Sequence, residues 1–148
     1  MSTPTAEATV RVAGADAGSV DVPALLELST PLLGLPGHVR YSLEALDEGG
    51  VLFALRSVPA DESDAPVRLF VVSPAAHFPD YTPVIDAGAL AWDADAEHTA
   101  VLAVVHPGQG PQDGPTVNLL APIVIDTRTG HAAQVVLDGD WPLRAPVA

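Results

Sequence analysis

A serine, a histidine and an aspartate lie close together in the chain, at Ser73, His77 and Asp80. These are the residue types of a hydrolytic triad, in which the serine attacks and the histidine takes its proton. The serine lacks the Gly-x-Ser-x-Gly elbow that exposes such a nucleophile, and closeness in sequence does not supply the triad geometry. The pattern therefore favours a serine at the end of a strand and a histidine at a surface corner.

Acidic and histidine residues elsewhere have the types of metal ligands but not their spacing. Asp93, Asp95 and Glu97 alternate like the start of an EF-hand loop, but His98 and Val104 occupy the positions of its required glycine and bidentate glutamate. The five histidines show no paired ligand spacing, and the chain has no cysteine. We therefore expect no metal and no cofactor.

Three glycines, Gly108, Gly110 and Gly114, resemble a phosphate-binding loop in composition only. The segment lacks the lysine and hydroxyl residue of such a loop, and Pro111 and Pro115 stand where a helix should begin. No other group of residues favours acid–base or nucleophilic catalysis. We expect a binding protein and not an enzyme.

Length and composition predict one soluble domain over residues 1–148, with 48 % hydrophobic residues, enough for a sizeable core. Residues 1–8 should be flexible, 108–115 a loop and 138–148 an irregular tail. The chain contains neither an apolar run of about 18 residues nor a basic segment followed by an apolar one at its start, so we expect no membrane span and no secretory signal. The lack of cysteine is consistent with a cytoplasmic protein.

The charge is strongly unbalanced, with 19 acidic residues against 6 arginines and a net charge of −13. Such a chain repels phosphate backbones and anionic lipid, so direct binding to nucleic acid or membranes is not expected. The same charge speeds encounter with basic proteins, although solubility, or the residue composition that a GC-rich genome favours, also explains it. The cluster Asp61, Glu62 and Asp64 is either a solvated loop tip or a contact for a basic partner.

The longest apolar stretch, residues 118–137, organises the prediction of the fold. Its first half is apolar on both faces, which indicates a strand buried on both sides, and Pro122 belongs at a strand start, an edge or a bulge. Asp126 and Gly130 bound a polar turn, after which apolar residues resume a period of two. The stretch therefore predicts a β-hairpin.

Further short apolar runs are separated by proline and glycine turns. Residues 9–12, 20–22, 51–58, 68–73 and 99–106 are predicted strands, with 51–58 and 68–73 paired antiparallel. Residues 23–28 and 41–46 fit a strand or a brief helix, and 86–95 fit a helical turn. The predicted fold is all-β: a small sandwich or partly closed antiparallel barrel with one or two short helical turns.

Several short sequence motifs in this chain resemble, in the same order, those of the FliW family of flagellar assembly factors. They are GLPG (34–37), FALRSV (53–58), LFVVSP (69–74), FPDY (78–81), VLAVV (101–105), NLLAPIVI (118–125) and QVVL (134–137). The resemblance covers about residues 28–137, and the last two motifs are the most specific. In the motif FALRSV, Arg56 occupies the position of the family's glutamine.

The chain also departs from the family pattern at several places. His38 replaces a phenylalanine, Thr82 replaces an acidic residue, and Ala76 with His77 replaces an aromatic-rich approach to the corner. The tail WPLRAPVA is unlike the basic tail of the family, which is rich in histidine and proline. These differences bear on partner contacts and not on the fold.

The resemblance implies a non-enzymatic, monomeric cytoplasmic factor that binds newly made flagellin as a chaperone. Freed of flagellin, such a factor binds the translational regulator CsrA and relieves its repression of flagellin translation. A domain that binds only flagellin or another client, without control of CsrA, is the alternative.

The predicted partner-binding residues come from the motifs that match the family and from the acidic cluster. Phe78, Asp80 and Tyr81 fit a partner-binding corner or a packed one, while Asn118 and Pro122 fit a partner contact or a structural role in the hairpin. The acidic cluster is the candidate for steering a basic partner. The predicted partner-binding residues are Phe78, Asp80, Tyr81, Asn118, Pro122, Asp61, Glu62 and Asp64.

Overall fold

β-strands account for most of the described part of the chain. The computed structural model describes residues 9–13, 19–28, 39–47, 49–58, 67–74, 78, 81, 98–106, 114–137, 141–142 and 144–146. The strands are β1 Thr9–Ala13, β2 Ser19–Pro23, β3 Leu25–Leu28, β4 Arg40–Ala45, β5 Leu52–Ser57, β6 Arg68–Val72, β7 Thr99–His106, β8 Thr116–Val117, β9 Ile123–Asp126, β10 His131–Gln134 and β11 Ala145–Pro146.

Seven of these strands close into a barrel in the order β7-β6-β5-β4-β3-β10-β9, because β9 pairs back with β7. Every neighbouring pair in the barrel is antiparallel except β3 with β10, which is parallel. Because the barrel is closed, each of its strands has a hydrogen-bonded neighbour on both sides, so the barrel has no exposed strand edge. The all-β prediction is confirmed, and the barrel is closed and not partly open.

Three further pairings complete the architecture. The β1–β2 hairpin forms a separate two-stranded sheet, with Val12 and Val22 buried in the same core as the barrel strands. Strand β8 pairs with the end of β7 beyond β9, and β11 pairs with β8. The chain's last described residues are thereby fixed to the barrel wall.

Alternation along the strands separates the barrel interior from its outer surface. Tyr41 and Leu43 of β4 and Phe53 and Leu55 of β5 are buried inside, whereas the intervening positions face outward. Strand β9 is the exception, since all four of its residues are buried. Its outer face is covered by a second apolar cluster outside the barrel, which confirms the prediction of a strand buried on both faces.

The β9–β10 hairpin is confirmed, but its strands are shorter than the apolar run. Residues 118–121 form a turn, and Pro122, which has no N–H to donate, directly precedes β9. In the connecting turn, the Asp126 carboxylate accepts hydrogen bonds from the N–H of Arg128 at 3.0 Å and its Nε at 3.1 Å. Gly130 has a φ of 87°, as the turn prediction required.

Residues 23–28 and 41–46, which fitted a strand or a helix, contribute strands β3 and β4. Pro74 has a helical backbone conformation, and its carbonyl accepts the Phe78 N–H at 2.8 Å. Residues 1–8, the GLPG motif at 34–37, the acidic cluster at 61–64 and the predicted helical turn at 86–95 lie outside the described residues. Most of the predicted loop at 108–115 and part of the predicted tail at 138–148 lie outside them as well. No helix in the described segments is long and apolar enough to cross a membrane.

Acid is expected to weaken the β9–β10 turn through Asp126. Burial raises the pKa of this carboxyl, but its hydrogen bonds and charge pairing with Arg128 outweigh burial and leave the pKa below its ordinary value. The ionised form therefore stabilises the fold fully above about pH 4, and this stabilisation is lost as the pH falls through the lower folded-state pKa. Asp126→Asn should lose less stability than the unaltered protein between neutral pH and pH about 3.

Urea unfolding of both proteins across this pH range measures the difference. The other carboxyl groups are common to both proteins, so the comparison isolates Asp126. Parallel stability curves would show that the carboxylate contributes no pH-dependent stability.

Candidate partner-binding surface

The turn at residues 118–121 is held by its own first side chain. Asn118 is almost fully buried, and its Oδ1 accepts hydrogen bonds from the N–H groups of Leu120 at 3.1 Å and Ala121 at 3.0 Å. An asparagine amide can accept both bonds at once because its oxygen has two lone pairs. The sequence at 118–122 therefore folds back locally and does not extend β9.

This turn bonds to three other parts of the chain through its backbone. The Asn118 N–H donates to the Val104 carbonyl of β7, and the Leu119 N–H donates to the Pro142 carbonyl of the tail. The segment after β10 returns to the same turn, where the N–H groups of Val135 and Leu137 donate to the Pro122 and Leu120 carbonyls. Those two bonds measure 3.0 and 2.8 Å. We call residues 118–122 the junction.

An aromatic corner packs on the junction from the segment that follows β6. The Tyr81 hydroxyl donates to the Leu119 carbonyl at 2.7 Å, and the Tyr81 ring meets the Trp141 ring edge-on with 4.8 Å between centroids. Burial raises the pKa of Tyr81 to about 12, so the phenol is neutral and remains a donor at physiological pH. The edge-on geometry is one of the favourable arrangements of aromatic pairs.

Two buried tyrosines provide a matched test of this corner. The Tyr81 hydroxyl has the Leu119 acceptor, whereas the Tyr41 hydroxyl inside the barrel has no partner among the described residues. Tyr81→Phe should lower the free energy of unfolding by about 1–2 kcal/mol, because it leaves a buried carbonyl without its donor. Tyr41→Phe should leave stability unchanged or raise it, because it removes an unsatisfied polar group.

Chemical denaturation of both variants measures the two effects. Equal losses of stability in the two variants would show that the Tyr81 hydrogen bond does not distinguish them.

Partly exposed apolar side chains surround the corner and the junction. Phe78, Leu120 and Trp141 are half-buried and pack against the second apolar cluster on the outer face of β7 and β9. We call these three residues the aromatic surface. Large aromatic side chains fixed on a rigid support are typical anchors of protein–protein interfaces. The arrangement can bind an apolar protein segment.

The structure brings four of the eight predicted site residues to this region. Phe78 and Tyr81 form the corner, and Asn118 and Pro122 are buried in the junction with structural hydrogen bonds. Asp80 and the cluster Asp61, Glu62 and Asp64 lie outside the described residues. A partner contact at any of the eight stays a prediction.

The residues predicted from sequence to bind a partner include neither Trp141 nor Leu120. A tryptophan directly followed by proline in an otherwise irregular tail is a signal of a fixed position, but nothing in the sequence indicates what the tryptophan packs on. The Tyr81 contact supplies that information.

The residues considered for chemistry have other surroundings. Ser73 is buried at the end of β6, and its N–H donates to the Val51 carbonyl at 2.8 Å. His77 and Asp80 lie outside the described residues. In the described segments, no group of three or more histidine, aspartate or glutamate side chains is placed to hold a metal ion.

Comparison with known proteins gives a consistent result. The profile of the family described as FliW protein matches residues 13–147. The flagellar assembly factor FliW of an Exiguobacterium species is 30% identical over 116 residues, covering 77% of each chain. The protein of the same name from Shouchella clausii is 28% identical over 118 residues, covering 78% of each.

A solved structure is similar over nearly the whole chain. The crystal structure of a flagellar assembly factor FliW superposes with a TM-score of 0.70 at 20% identity, covering 93% of this chain and 96% of the other. This likeness supports the fold described above.

Proposed function

Because the chain belongs to the FliW family of flagellar assembly factors, we propose that it binds flagellin in the cytoplasm as a chaperone and, when free, binds CsrA. Binding of CsrA would relieve repression of flagellin translation. The observation that carries this proposal is the family match over residues 13–147, which includes the junction and the aromatic corner.

The aromatic surface is the proposed flagellin contact. It offers two aromatic rings and one leucine on a support fixed by backbone hydrogen bonds from β7, the tail and the segment after β10. A rigid apolar anchor loses little conformational entropy on binding, so its buried area translates efficiently into affinity. An assembly factor needs such a surface to cover an apolar part of an unassembled subunit.

Electrostatics support the CsrA half of the proposal. The net charge of −13 steers encounter with a protein that presents basic surfaces for RNA. The cluster Asp61, Glu62 and Asp64 is the proposed steering element. Antagonism in this family is understood as allosteric, so charge here accounts for encounter and not for competition at the RNA site.

A domain that binds flagellin without CsrA is the alternative, and the departures at His38 and in the tail favour it. The tail of this chain is used structurally, since β11 pairs with β8 and Trp141 packs on Tyr81. Because the tail packs on the barrel in this way, fewer of its residues are available to contact a second partner.

Calorimetric titration of the cognate flagellin monomer tests the flagellin half. We expect a one-to-one complex of submicromolar affinity, weakened about tenfold or more by Phe78→Ala or Trp141→Ala. Leu46→Ala is the control, because Leu46 is an exposed apolar residue in the β4–β5 turn, and it should leave affinity within about twofold. Absence of heat and of co-elution with both proteins folded would contradict flagellin binding.

A further inference from the structure

Two arginines face each other on the outer surface of the barrel. Arg56 of β5 and Arg68 of β6 are direct partners in the antiparallel register. Both are exposed, and like charges directly opposite each other in a sheet are destabilising. The fold does not require this arrangement, because the outward positions of a barrel wall accept any polar residue.

Neither arginine forms an ion pair within the described part of the chain, although Glu44 lies on the same part of the outer wall. Arg40, on the neighbouring strand, pairs with Glu27 at 3.9 Å, but no described carboxylate lies within ion-pair distance of Arg56 or Arg68. The chain has only six basic residues and a net charge of −13. Two of the six placed opposite each other create a local positive site on an acidic protein.

The surroundings of the pair form a shallow depression on the outer wall. It is lined by Ser42, Glu44, Ala54, Arg56 and Arg68. Beside it, the Arg68 guanidinium lies 5.2 Å from the centre of the Phe70 ring, a cation–π distance that restricts the side chain. Ala54 is the register partner of Phe70, and its small side chain does not fill the depression.

We propose that the depression at Arg56 and Arg68 binds a carboxylate-bearing, acidic segment of a partner protein. Planar guanidinium groups bind carboxylates through two parallel hydrogen bonds. The register holds the Cα atoms of the two arginines about 5 Å apart on neighbouring strands, so both side chains extend from one part of the outer surface. The inference does not depend on the identity of the partner in the proposed function.

The chemistry favours an acidic peptide over a nucleic acid. Both carry groups that guanidinium recognises, but a nucleic acid brings a long row of phosphates against a surface of net charge −13. An acidic peptide segment presents only a few charges, which two arginines can match.

The probe is a short labelled peptide in which glutamate alternates with leucine, compared with the same peptide carrying glutamine. Fluorescence anisotropy gives its affinity, and the arginine Nε–Hε signals in NMR spectra give its location. We expect saturable shifts at Arg56 and Arg68, no binding of the glutamine peptide, and affinity at least about tenfold lower for Arg56→Gln/Arg68→Gln. The matched control is Arg11→Gln, which makes the same kind of charge change at an exposed position on β1 and should leave the affinity within about twofold.

Urea unfolding separates recognition from a structural role. The double variant relieves a like-charge contact and should be at least as stable as the unaltered protein. Loss of stability together with binding would show that the arginines support the sheet and would overturn the proposal. Equal weakening by Arg11→Gln, or tighter binding of a single-stranded RNA oligonucleotide than of the peptide, would overturn it as well.

Discussion

Gly130→Ala is expected to destabilise the barrel by about 3 kcal/mol. Gly130 has a φ of 87°, and a Cβ at this position would lie 2.5 Å from the Leu25 carbonyl oxygen. The backbone that would have to yield belongs to β3, and the Gly130 carbonyl accepts the Glu27 N–H at 3.0 Å. The substitution therefore strains the parallel joint between β3 and β10, through which the barrel closes.

Gly114→Ala is the matched control for this substitution. Apart from its chain neighbours, no atom of the described residues lies within 4 Å of a Cβ built at Gly114, so the change should alter stability by less than about 0.5 kcal/mol. Urea unfolding of both variants measures the difference. A Gly130→Ala protein as stable as the Gly114→Ala protein would contradict the close approach of β10 to β3.

Asn118→Ala is expected to cost about 2–3 kcal/mol of folding free energy. It removes the acceptor for two backbone N–H groups, of which the Ala121 N–H is buried, where water cannot readily replace the amide oxygen. The junction holds the Tyr81 and tail contacts, so a looser junction should also weaken flagellin binding.

Asp47→Ala is the control for Asn118→Ala because it removes the same pair of bonds in an exposed turn. The Asp47 Oδ1 accepts the N–H groups of Val51 at 3.0 Å and Leu52 at 3.1 Å, but Asp47 lies at the surface, where water can satisfy these donors. We expect a clearly smaller loss of stability in denaturant unfolding. Equal losses would show that burial of the junction adds nothing to its bonds.

Local features of the fold could be predicted from sequence because their causes are local. The β9–β10 hairpin follows from an apolar alternation on either side of a turn with Asp126 and Gly130, and each of these acts within a few residues. The antiparallel β5–β6 pairing likewise follows from two predicted strands whose connecting sequence does not favour a helix. Strand β7 was predicted with the boundaries observed.

The closure of the barrel could not be predicted in this way. It depends on β9 pairing with β7 and on β3 running parallel to β10, and these partners are far apart in the chain. Residues 25–28 illustrate the difficulty, because a short leucine-rich run fits a helical turn as well as a strand. Only hydrogen bonding to the neighbouring strands makes it a strand.

The candidate site shows the same division. The matched motifs identify Asn118 and Tyr81. Tertiary packing alone determines that the Tyr81 hydroxyl donates to the Leu119 carbonyl and that Trp141 covers the Tyr81 ring. The opposition of Arg56 and Arg68 depends on strand register, which the intervening loop does not fix.

The most direct test of the proposed function is a titration of CsrA into this protein, with and without saturating flagellin. Mutually exclusive binding is the central claim, since release from flagellin is what would free the protein to act on CsrA. We expect CsrA to bind the free protein and to show no heat of binding once flagellin is bound. Unchanged CsrA binding in the presence of flagellin would contradict mutual exclusion, and failure of CsrA to bind the free, folded protein would leave a flagellin-binding domain without translational control.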